Sequence, residues 1–469
     1  MNRLLFLLSG GLTCVAIHAA QKPNILVFIA DDAGMDFGCY GNKYIHTPNI
    51  DKIAANGLRF EKAFLTSPQS SPSRTSMMTG MFAHTIGTED LHTPIDSDTR
   101  MIPSFLGDVG YRTGVMLKTH WGPEGDKQFD WVDAGREWYQ EEPVSVNNPA
   151  FVRFRNFIGK DDRPFFLWVG FTDPHRPYNS ETNIHQNNPD ELIVPPYYVD
   201  DQPTRRDIAD YYDEISRMDR HIGIMMAELE KQGQLENTII IFLSDNGMPF
   251  PRAKGTLYDA GIRTPLLFSW KGKIETGSVH NNGLISTVDL APTILDLAGI
   301  SVPEKMYGKS FSSILFHPSE KGRDYIFAER NWHDCDEYIR CIRTEKYKVI
   351  YNAYYEVPHG IAMDLSSSLT WYSLKKGQKE GVLTKDQLNI FTCPRPGIEI
   401  YDLENDPYEL NNVADEQNYY AKGKELVAMM LKWQEETGDH PYWKRRRPDQ
   451  SDRITGFPIY QGRPEAWDD

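Results

Sequence analysis

The sequence contains few cysteines and no excess of positive charge. Its five cysteines among 469 residues are not spaced as zinc ligands are, so no zinc site is expected. The 50 Lys plus Arg residues are outnumbered by 66 Asp plus Glu, which gives a net charge of −16. A surface of that sign does not attract polyanions nonspecifically, so we expect no nucleic-acid partner. Past the N-terminus no apolar run approaches the length of a membrane span, and no transmembrane segment is expected.

The N-terminal twenty residues have the pattern of a secretory signal peptide. Arg3 precedes an apolar stretch without charged groups at 4–17, and two alanines lie just before the first polar residues of the mature chain. We therefore expect residues 1–20 to be removed on export. A periplasmic location is predicted, with secretion or a lipid anchor at Cys14 as alternatives.

Four short runs rich in Ile, Val and Phe each end in polar, ionisable residues. Amphipathic stretches separate them, which indicates an α/β domain with a mainly parallel sheet. Ligands bind outside the carboxyl ends of such strands, so we expect the polar residues to share one crevice. The runs and their polar ends are 25–30 with Asp31 and Asp32, 113–117 with Lys118 and His120, 165–171 with Asp173 and His175, and 238–243 with Asp245 and Asn246.

The pattern of predicted helices and strands changes after residue 317. Before that point, apolar residues at helical spacing predict a long helix over 208–232. Beyond it, short antiparallel strands and a final helix near 419–436 indicate a smaller sheet-and-helix domain. We therefore predict a catalytic domain at 21–317 and a C-terminal domain at 318–469 that contributes to the substrate pocket. The predicted C-terminal strands are 324–327, 338–342, 347–351 and 399–401, and a basic run at 444–447 is interpreted as a solvated patch, with glycan contact as the alternative.

Oxygen donors at two of the strand ends suggest a metal site. Three carboxylates and one amide, from Asp31, Asp32, Asp245 and Asn246, are hard ligands without a thiolate or a pair of imidazoles. Such a set suits Ca²⁺ or Mg²⁺ and not zinc.

The segment 70–80 carries the most specific motif of the sequence. It reads Ser-Ser-Pro-Ser-Arg-Thr-Ser-Met-Met-Thr-Gly, and Pro72 suits the first turn of a helix. Ser70 would then lie at a helix N-terminus, where backbone N–H groups favour an anion. The segment resembles the signature of the formylglycine-dependent sulfatases at every fixed position. The resemblance implies that Ser70 is oxidised to formylglycine by a radical-dependent maturation enzyme, as in the bacterial serine-type sulfatases.

The same resemblance implies an alkaline-phosphatase-like α/β sandwich, with a large mixed, mainly parallel sheet and a smaller C-terminal domain. It assigns Ca²⁺ to the four oxygen donors and places a sulfated saccharide as the substrate. It also implies catalytic roles for five further residues, which are Arg74, Lys118, His120, His175 and Lys254.

Within the family, short runs beginning at residues 120, 161, 171, 245 and 432 resemble the heparan N-sulfatase, or sulfamidase, group. Two positions depart from the usual pattern. Lys254 stands where that group uses arginine, and Asp259 stands where glutamate is commoner among sulfatases. A lysine ammonium contacts sulfate as a single point charge, whereas the planar guanidinium of an arginine can donate two parallel hydrogen bonds. The implied substrate is N-sulfated glucosamine at the non-reducing end of heparan sulfate or heparin.

The expected mechanism follows from the resemblance. One hydroxyl of the formylglycine hydrate attacks sulfur, and Arg74, Lys118 and Lys254 offset charge on the sulfuryl group. His175 or His120 then protonates the departing atom. Contacts to the sugar are expected from loop residues that can pair with hydroxyl or carboxylate groups, namely Asp173, Arg176, His333 and Asp334.

Three other functions stay open at this point. The first is an O-sulfatase that acts on another sulfated polysaccharide. The second is a phosphate or phosphonate ester hydrolase of the same superfamily, which shares the metal chemistry at the strand ends. The third is a glycan-binding protein that keeps the fold but is not matured.

Overall fold

The computed structural model describes residues 22–134, 145–179, 183–184 and 186–441. The predicted signal peptide and the basic run at 444–447 lie outside these residues. Within the described ranges, none of the helices combines the length and the apolar character that a membrane crossing needs. No disulfide joins the cysteines of this part of the chain.

An eight-stranded mixed sheet forms the centre of the molecule, with the strand order β5-β4-β6-β1-β7-β8-β2-β9. Neighbouring strands from β5 to β7 are parallel, and β8 is antiparallel to both of its neighbours. The strands, with the short pair β3 and β10, are β1 Asn24–Ala30, β2 Leu58–Phe60, β3 Ala63–Phe64, β4 Arg112–Leu117, β5 Trp131–Asp133, β6 Phe165–Gly170, β7 Thr238–Ser244, β8 Leu266–Ser269, β9 Ser278–His280 and β10 Ile285–Ser286.

The four runs predicted as strands are β4, β6, β1 and β7, which lie side by side and in parallel. Every residue of β1 is buried, because alternate side chains enter the two apolar cores on opposite faces of the sheet. The carboxyl ends of the four strands meet at one edge, so the predicted crevice is confirmed as a feature of the fold.

Helices cover both faces of this sheet. Residues of α2, α3 and α8 belong to one core, and residues of α1, α5 and α6 belong to the other. Helix α6 starts earlier than predicted, because the Asp201 side chain accepts a hydrogen bond from the Thr204 N–H at 3.0 Å and caps it. The helices are α1 Pro48–Ala55, α2 Ser70–Thr79, α3 Ile102–Asp108, α4 Pro123–Asp126, α5 Pro149–Ile158, α6 Gln202–Lys231, α7 Asp259–Ile262, α8 Leu290–Leu297, α9 Ser312–Phe316, α10 Leu369–Glu380, α11 Lys385–Leu388 and α12 Tyr420–Thr437.

A separate antiparallel sheet of four strands follows, in the order β11-β12-β13-β14. Its apolar side packs against α12 through Ile342, Val349, Leu426 and Met430. The predicted antiparallel sheet and final helix are therefore confirmed, whereas the division of the chain at residue 317 stays a prediction. The strands are β11 Tyr325–Arg330, β12 Ile339–Thr344, β13 Tyr347–Asn352 and β14 Ile398–Asp402.

A buried ion-pair cluster joins this second sheet to the first residue of α7. The Lys348 ammonium, whose side chain is fully buried, lies 2.6 Å from Asp259 Oδ1 and 2.6 Å from Glu409 Oε1. Arg343 contacts the other oxygen of Asp259 at 2.9 Å. Burial acts to raise the pKa of Asp259, but Arg343 and Lys348 outweigh it and lower the pKa. Asp259, which departs from the family pattern, thus joins α7 to the second sheet.

We expect Asp259→Asn to destabilise the protein by about 3 kcal/mol, because the buried Lys348 ammonium is then paired with one carboxylate instead of two. Urea unfolding measures this change. The control is Glu236→Gln, which breaks an exposed ion pair, since Lys271 Nζ lies 3.0 Å from Glu236 Oε1. We expect this variant to destabilise the protein by about 0.5 kcal/mol or less. A carboxyl with a lowered folded pKa stabilises above its unfolded pKa of about 3.9. The difference between wild type and Asp259→Asn should therefore shrink as the pH falls below about 4, and a constant difference would contradict this origin.

Candidate active site

Ser70 occupies the first position of α2 and is buried in the crevice. Its hydroxyl donates toward Asn246 Oδ1 at 3.1 Å and lies 3.3 Å from Asp31 Oδ1. The helix begins here because Pro72 fits its first turn, and Gly80 ends it with a left-handed backbone at φ 68°. The predicted helix N-terminus is therefore present, and it points Ser70 at the acidic strand ends.

The oxygen donors converge on one point. Carboxylate oxygens of Asp31, Asp32 and Asp245 all lie within 4.8 Å of one another, and the three side chains are buried. Asn246 adds an amide, whose Nδ2 donates to Asp32 Oδ1 at 2.7 Å. A compact, all-oxygen set on rigid strand ends fits Ca²⁺, which binds oxygen ligands at about 2.3–2.6 Å.

The ionisation of this cluster depends on its neighbours. Burial acts to raise the pKa of Asp31, but the ammonium of Lys118 and the other nearby cations outweigh it and lower the pKa. For Asp245, burial is the larger effect and raises the pKa even though Arg74 opposes it. A bound dication would favour the charged form of both carboxyls.

Three cations surround the acidic centre. Lys118 Nζ lies 2.5 Å from Asp31 Oδ2, Arg74 Nε donates to Asp245 Oδ2 at 2.8 Å, and Lys254 Nζ lies 2.7 Å from Asp32 Oδ2. The three cations offset these three carboxylates in formal charge, and Asp364, which also lies 2.7 Å from Lys254 Nζ, adds one further negative charge. An added dication would make the centre positive, which suits a sulfuryl group beside Ser70.

Two histidines border the crevice from different strands. His175 Nε2 lies 3.8 Å from Asp32 Oδ2, and its ring is about one third exposed at 31%. His120 Nε2 lies 2.7 Å from Nδ1 of His92. Both His92 and His120 have a left-handed backbone, at φ 67° and 78°. Such backbone strain at non-glycine residues is common at functional sites.

A cavity of about 560 Å³ lies between the strand ends of the first sheet and segments of the C-terminal part. Its lining includes Asp31, Ser70, Lys118, His120, His175 and Lys254. His333 and Asp334 line it, with His333 Nδ1 and Asp334 Oδ2 at 2.9 Å. Burial acts to raise the pKa of Asp334, but the hydrogen bond and charge of His333 outweigh it and lower the pKa. The two residues therefore line the cavity, and their contact with a sugar stays a prediction.

The other two predicted sugar contacts are placed differently. Both oxygens of Asp173 accept hydrogen bonds from Arg217 of α6, at 2.6 and 2.8 Å, and the carboxylate is fully buried. Asp173 thus anchors α6 and presents no exposed oxygen to a sugar. Arg176 lines the cavity, but its guanidinium pairs with both oxygens of Asp207 at 2.7 and 2.8 Å. Its charge is already compensated.

Sequence reasoning missed Asp364 and His92. Asp364 Oδ2 lies 2.7 Å from Lys254 Nζ, so the ammonium bridges Asp32 and Asp364. Burial opposes the charge of Lys254, but the two carboxylates outweigh it and raise the pKa of that ammonium. Asp364 lies in a single 3₁₀ turn, Met363–Leu365, and no motif in the sequence marks it. His92 follows Leu91 in a polar segment that has no strand before it, so the strand-end argument did not reach it.

Comparison with known proteins shows the family of the chain. A family model described as Sulfatase matches residues 23–300, which is more than half of the chain. The chain belongs to the sulfatase family. A second model, described as N-sulphoglucosamine sulphohydrolase, C-terminal, matches residues 252–367 of this sulfatase.

Two curated relatives cover most of the sulfatase. Human N-sulphoglucosamine sulphohydrolase is 31% identical, over 91% of this chain and 93% of its own. An ulvan-active sulfatase from Formosa agariphila is 30% identical, over 89% of this chain and 76% of its own. Among solved structures, one in complex with D-glucosamine-2-N,6-O-disulfate superposes with a TM-score of 0.66 at 22% identity, covering 90% of this chain and 99% of its own.

These similarities confirm the resemblance seen in the sequence. The sulfatase has the alkaline-phosphatase-like α/β fold that was expected, and it is a hydrolase of sulfate esters or sulfamates. The alternative of a phosphate or phosphonate ester hydrolase is not favoured by either family model.

Proposed function

We propose that this sulfatase removes the N-sulfate from a glucosamine at the non-reducing end of heparan sulfate or heparin. The observation that carries the proposal is the match of residues 252–367 to the C-terminal model of N-sulphoglucosamine sulphohydrolase. That segment supplies one side of the cavity, through Lys254, His333, Asp334 and Asp364. A cavity of about 560 Å³ has room for one sugar, and we propose that this is the terminal sugar of the chain, so that the enzyme acts from the end.

Ser70 is proposed to be oxidised to formylglycine before the enzyme acts. The complete signature at 70–80 supports this step, and a serine-type, radical-dependent maturation enzyme is the proposed partner. The hydrated aldehyde would supply two hydroxyls on one carbon, one to take up sulfur and one to help release sulfate.

Asp31, Asp32, Asp245 and Asn246 are proposed to hold Ca²⁺. The ion would act as a Lewis acid toward oxygen atoms at residue 70 and on the sulfuryl group. The side chains of the crevice would bind the sulfuryl group and transfer the proton.

The cations of the crevice hold the substrate. Lys118 and Lys254 line the cavity and would bind the sulfuryl oxygens as negative charge develops on them. Arg74 is fully buried behind the cavity and paired with Asp245, so it would offset that charge without direct contact. His175 lies beside this group and is partly open to the cavity, so we propose that it protonates the departing nitrogen. His120, paired with His92, is the alternative donor.

A second candidate is an O-sulfatase of another polysaccharide. The Formosa agariphila relative, which is named an ulvan-active sulfatase, supports it at 30% identity. In either case we propose that residues 1–20 direct export, with the periplasm as the location.

The experiment compares sulfate release from N-sulfoglucosamine and from its 6-O-sulfated isomer by the matured enzyme. We expect kcat/KM to be at least about 100-fold higher for the N-sulfated sugar, because the site would be complementary to one leaving atom. A preference for the 6-O-sulfated isomer would replace the proposal with the O-sulfatase. Release from inside an intact chain without end preference would contradict exo action.

A further inference from the structure

A carboxylate that no expected catalytic step uses lies in the wall of the active-site cavity. Asp364 Oδ2 is held by the Lys254 ammonium at 2.7 Å. Its other oxygen, Oδ1, is buried and has no hydrogen-bond partner in the part of the chain that the structure describes. That oxygen has no accessible surface, so a ligand would meet the carboxylate at its exposed part, since the Asp364 side chain is 19% exposed and lines the cavity. A carboxylate accepts several hydrogen bonds, so it can take a donor from a ligand in addition to the Lys254 ammonium.

Hydrogen bonds and an ion pair fix the position of the turn that carries Asp364. The backbone N–H of Met363 donates to Asp334 Oδ2 at 2.7 Å, and His333 contacts the same carboxylate oxygen at 2.9 Å. The ion pair with Lys254 fixes the Asp364 side chain. Because these contacts join the turn to the crevice, the Asp364 carboxylate is preorganised to meet a ligand.

The position of Asp364 defines which part of a substrate it meets. Its Oδ2 lies 3.7 Å from Nε2 of His175, the proposed donor to the departing atom. The carboxylate therefore lies next to the proposed proton donor, and a sugar bound with its departing atom at His175 would bring the ring carbon beside the sulfated one toward Asp364. Its negative charge favours an uncharged hydroxyl there and repels a second sulfate.

We propose that Asp364 is a substrate-specificity residue, which accepts a hydrogen bond from the hydroxyl adjacent to the cleaved sulfate and excludes sugars that carry a sulfate at that position. This inference rests on the proposed function for the identity of the hydroxyl. In an N-sulfated glucosamine at a non-reducing end, C1 is part of the glycosidic bond, so the free hydroxyl adjacent to the sulfated nitrogen is O3. A second sulfate on O6 is farther along the ring and does not face Asp364.

The test measures kcat and KM for N-sulfoglucosamine and for its 3-O-sulfated and 6-O-sulfated forms. Wild type should disfavour the 3-O-sulfated form by about 100-fold and the 6-O-sulfated form far less. Asp364→Asn should raise KM for N-sulfoglucosamine by about tenfold or more, since a hydrogen bond to a charged acceptor is weakened. The same variant should reduce the ratio of kcat/KM for N-sulfoglucosamine to kcat/KM for its 3-O-sulfated form by about tenfold.

Asp98→Asn is the matched control, because Asp98 is exposed and outside the cavity. Asp364→Glu keeps the charge and should keep the exclusion of the 3-O-sulfate even where binding weakens. If Asp364→Asn slowed all three substrates equally, the carboxylate would serve only to hold Lys254, and the proposal would be overturned. Wild-type turnover of the 3-O-sulfated sugar at the rate of the parent would overturn it without any variant.

The proposed function can fail separately. An enzyme that leaves N-sulfoglucosamine intact but hydrolyses the 6-O-sulfated isomer would contradict N-sulfatase activity. The same comparison then uses the 6-O-sulfated sugar and its 4,6-disulfated form, because O4 is the nearest hydroxyl to that sulfate. Loss of discrimination in Asp364→Asn would still support the specificity role, and unchanged discrimination would refute it.

Discussion

Ser70→Ala should abolish sulfate release, with kcat/KM lower by at least about a thousandfold. The side chain lies at the N-terminus of α2, 3.1 Å from Asn246 Oδ1, at the point where the acidic donors and the cations meet. Alanine can neither be oxidised to an aldehyde nor supply a nucleophilic oxygen. The fold should persist, because removing the hydroxyl changes little volume.

The control for this variant lies on the same helix. Ser76 is buried, and its hydroxyl has no hydrogen-bond partner among the described residues. It also occupies a variable position of the signature, so Ser76→Ala should keep most of the activity. Mass spectrometry of the peptide with residue 70 should show a loss of two hydrogens in active wild type. Full activity of protein with an unmodified Ser70 would contradict the formylglycine proposal.

Asp31→Asn is expected to give the second large effect, a loss of activity of about a hundredfold or more together with loss of the response to Ca²⁺. Asp31 contacts both Ser70 and Lys118 and contributes a charged donor to the proposed site. After treatment with a chelator, addition of Ca²⁺ should raise the melting temperature of wild type and leave that of Asp31→Asn unchanged. The thermal measurement reports binding independently of catalysis.

Asp36→Asn provides the comparison for the calcium measurement. Asp36 lies on the loop after β1, but Tyr212 and Tyr211 donate to its carboxyl at 3.1 and 3.3 Å, away from the cluster. Burial raises the pKa of Asp36, so a neutral amide is a mild change there. Its melting temperature should still rise with Ca²⁺. A wild-type protein that shows no thermal response to Ca²⁺ would contradict the metal assignment.

Local sequence patterns were enough to predict the centre of the site. Each of the strands β4, β6, β1 and β7 is a run of apolar residues that stops at ionisable ones, and parallel strands bring such ends to one edge. The motif at 70–80 was equally local, because a proline suited to the first turn predicts the start of a helix. The start of α6 was missed by six residues, although Asp201 is a common capping residue.

Short-range patterns therefore predicted the strand ends and the signature helix and carried the resemblance to the family. Which polar residues face the cavity depends on the tertiary structure. Asp173 and Arg176 follow the same strand as His175, yet α6 supplies Arg217 and Asp207 to pair with them. Asp364 enters the site because Lys254, 110 positions away in sequence, pairs with its carboxylate. Pairing between distant segments depends on how the two sheets pack, which no local pattern encodes.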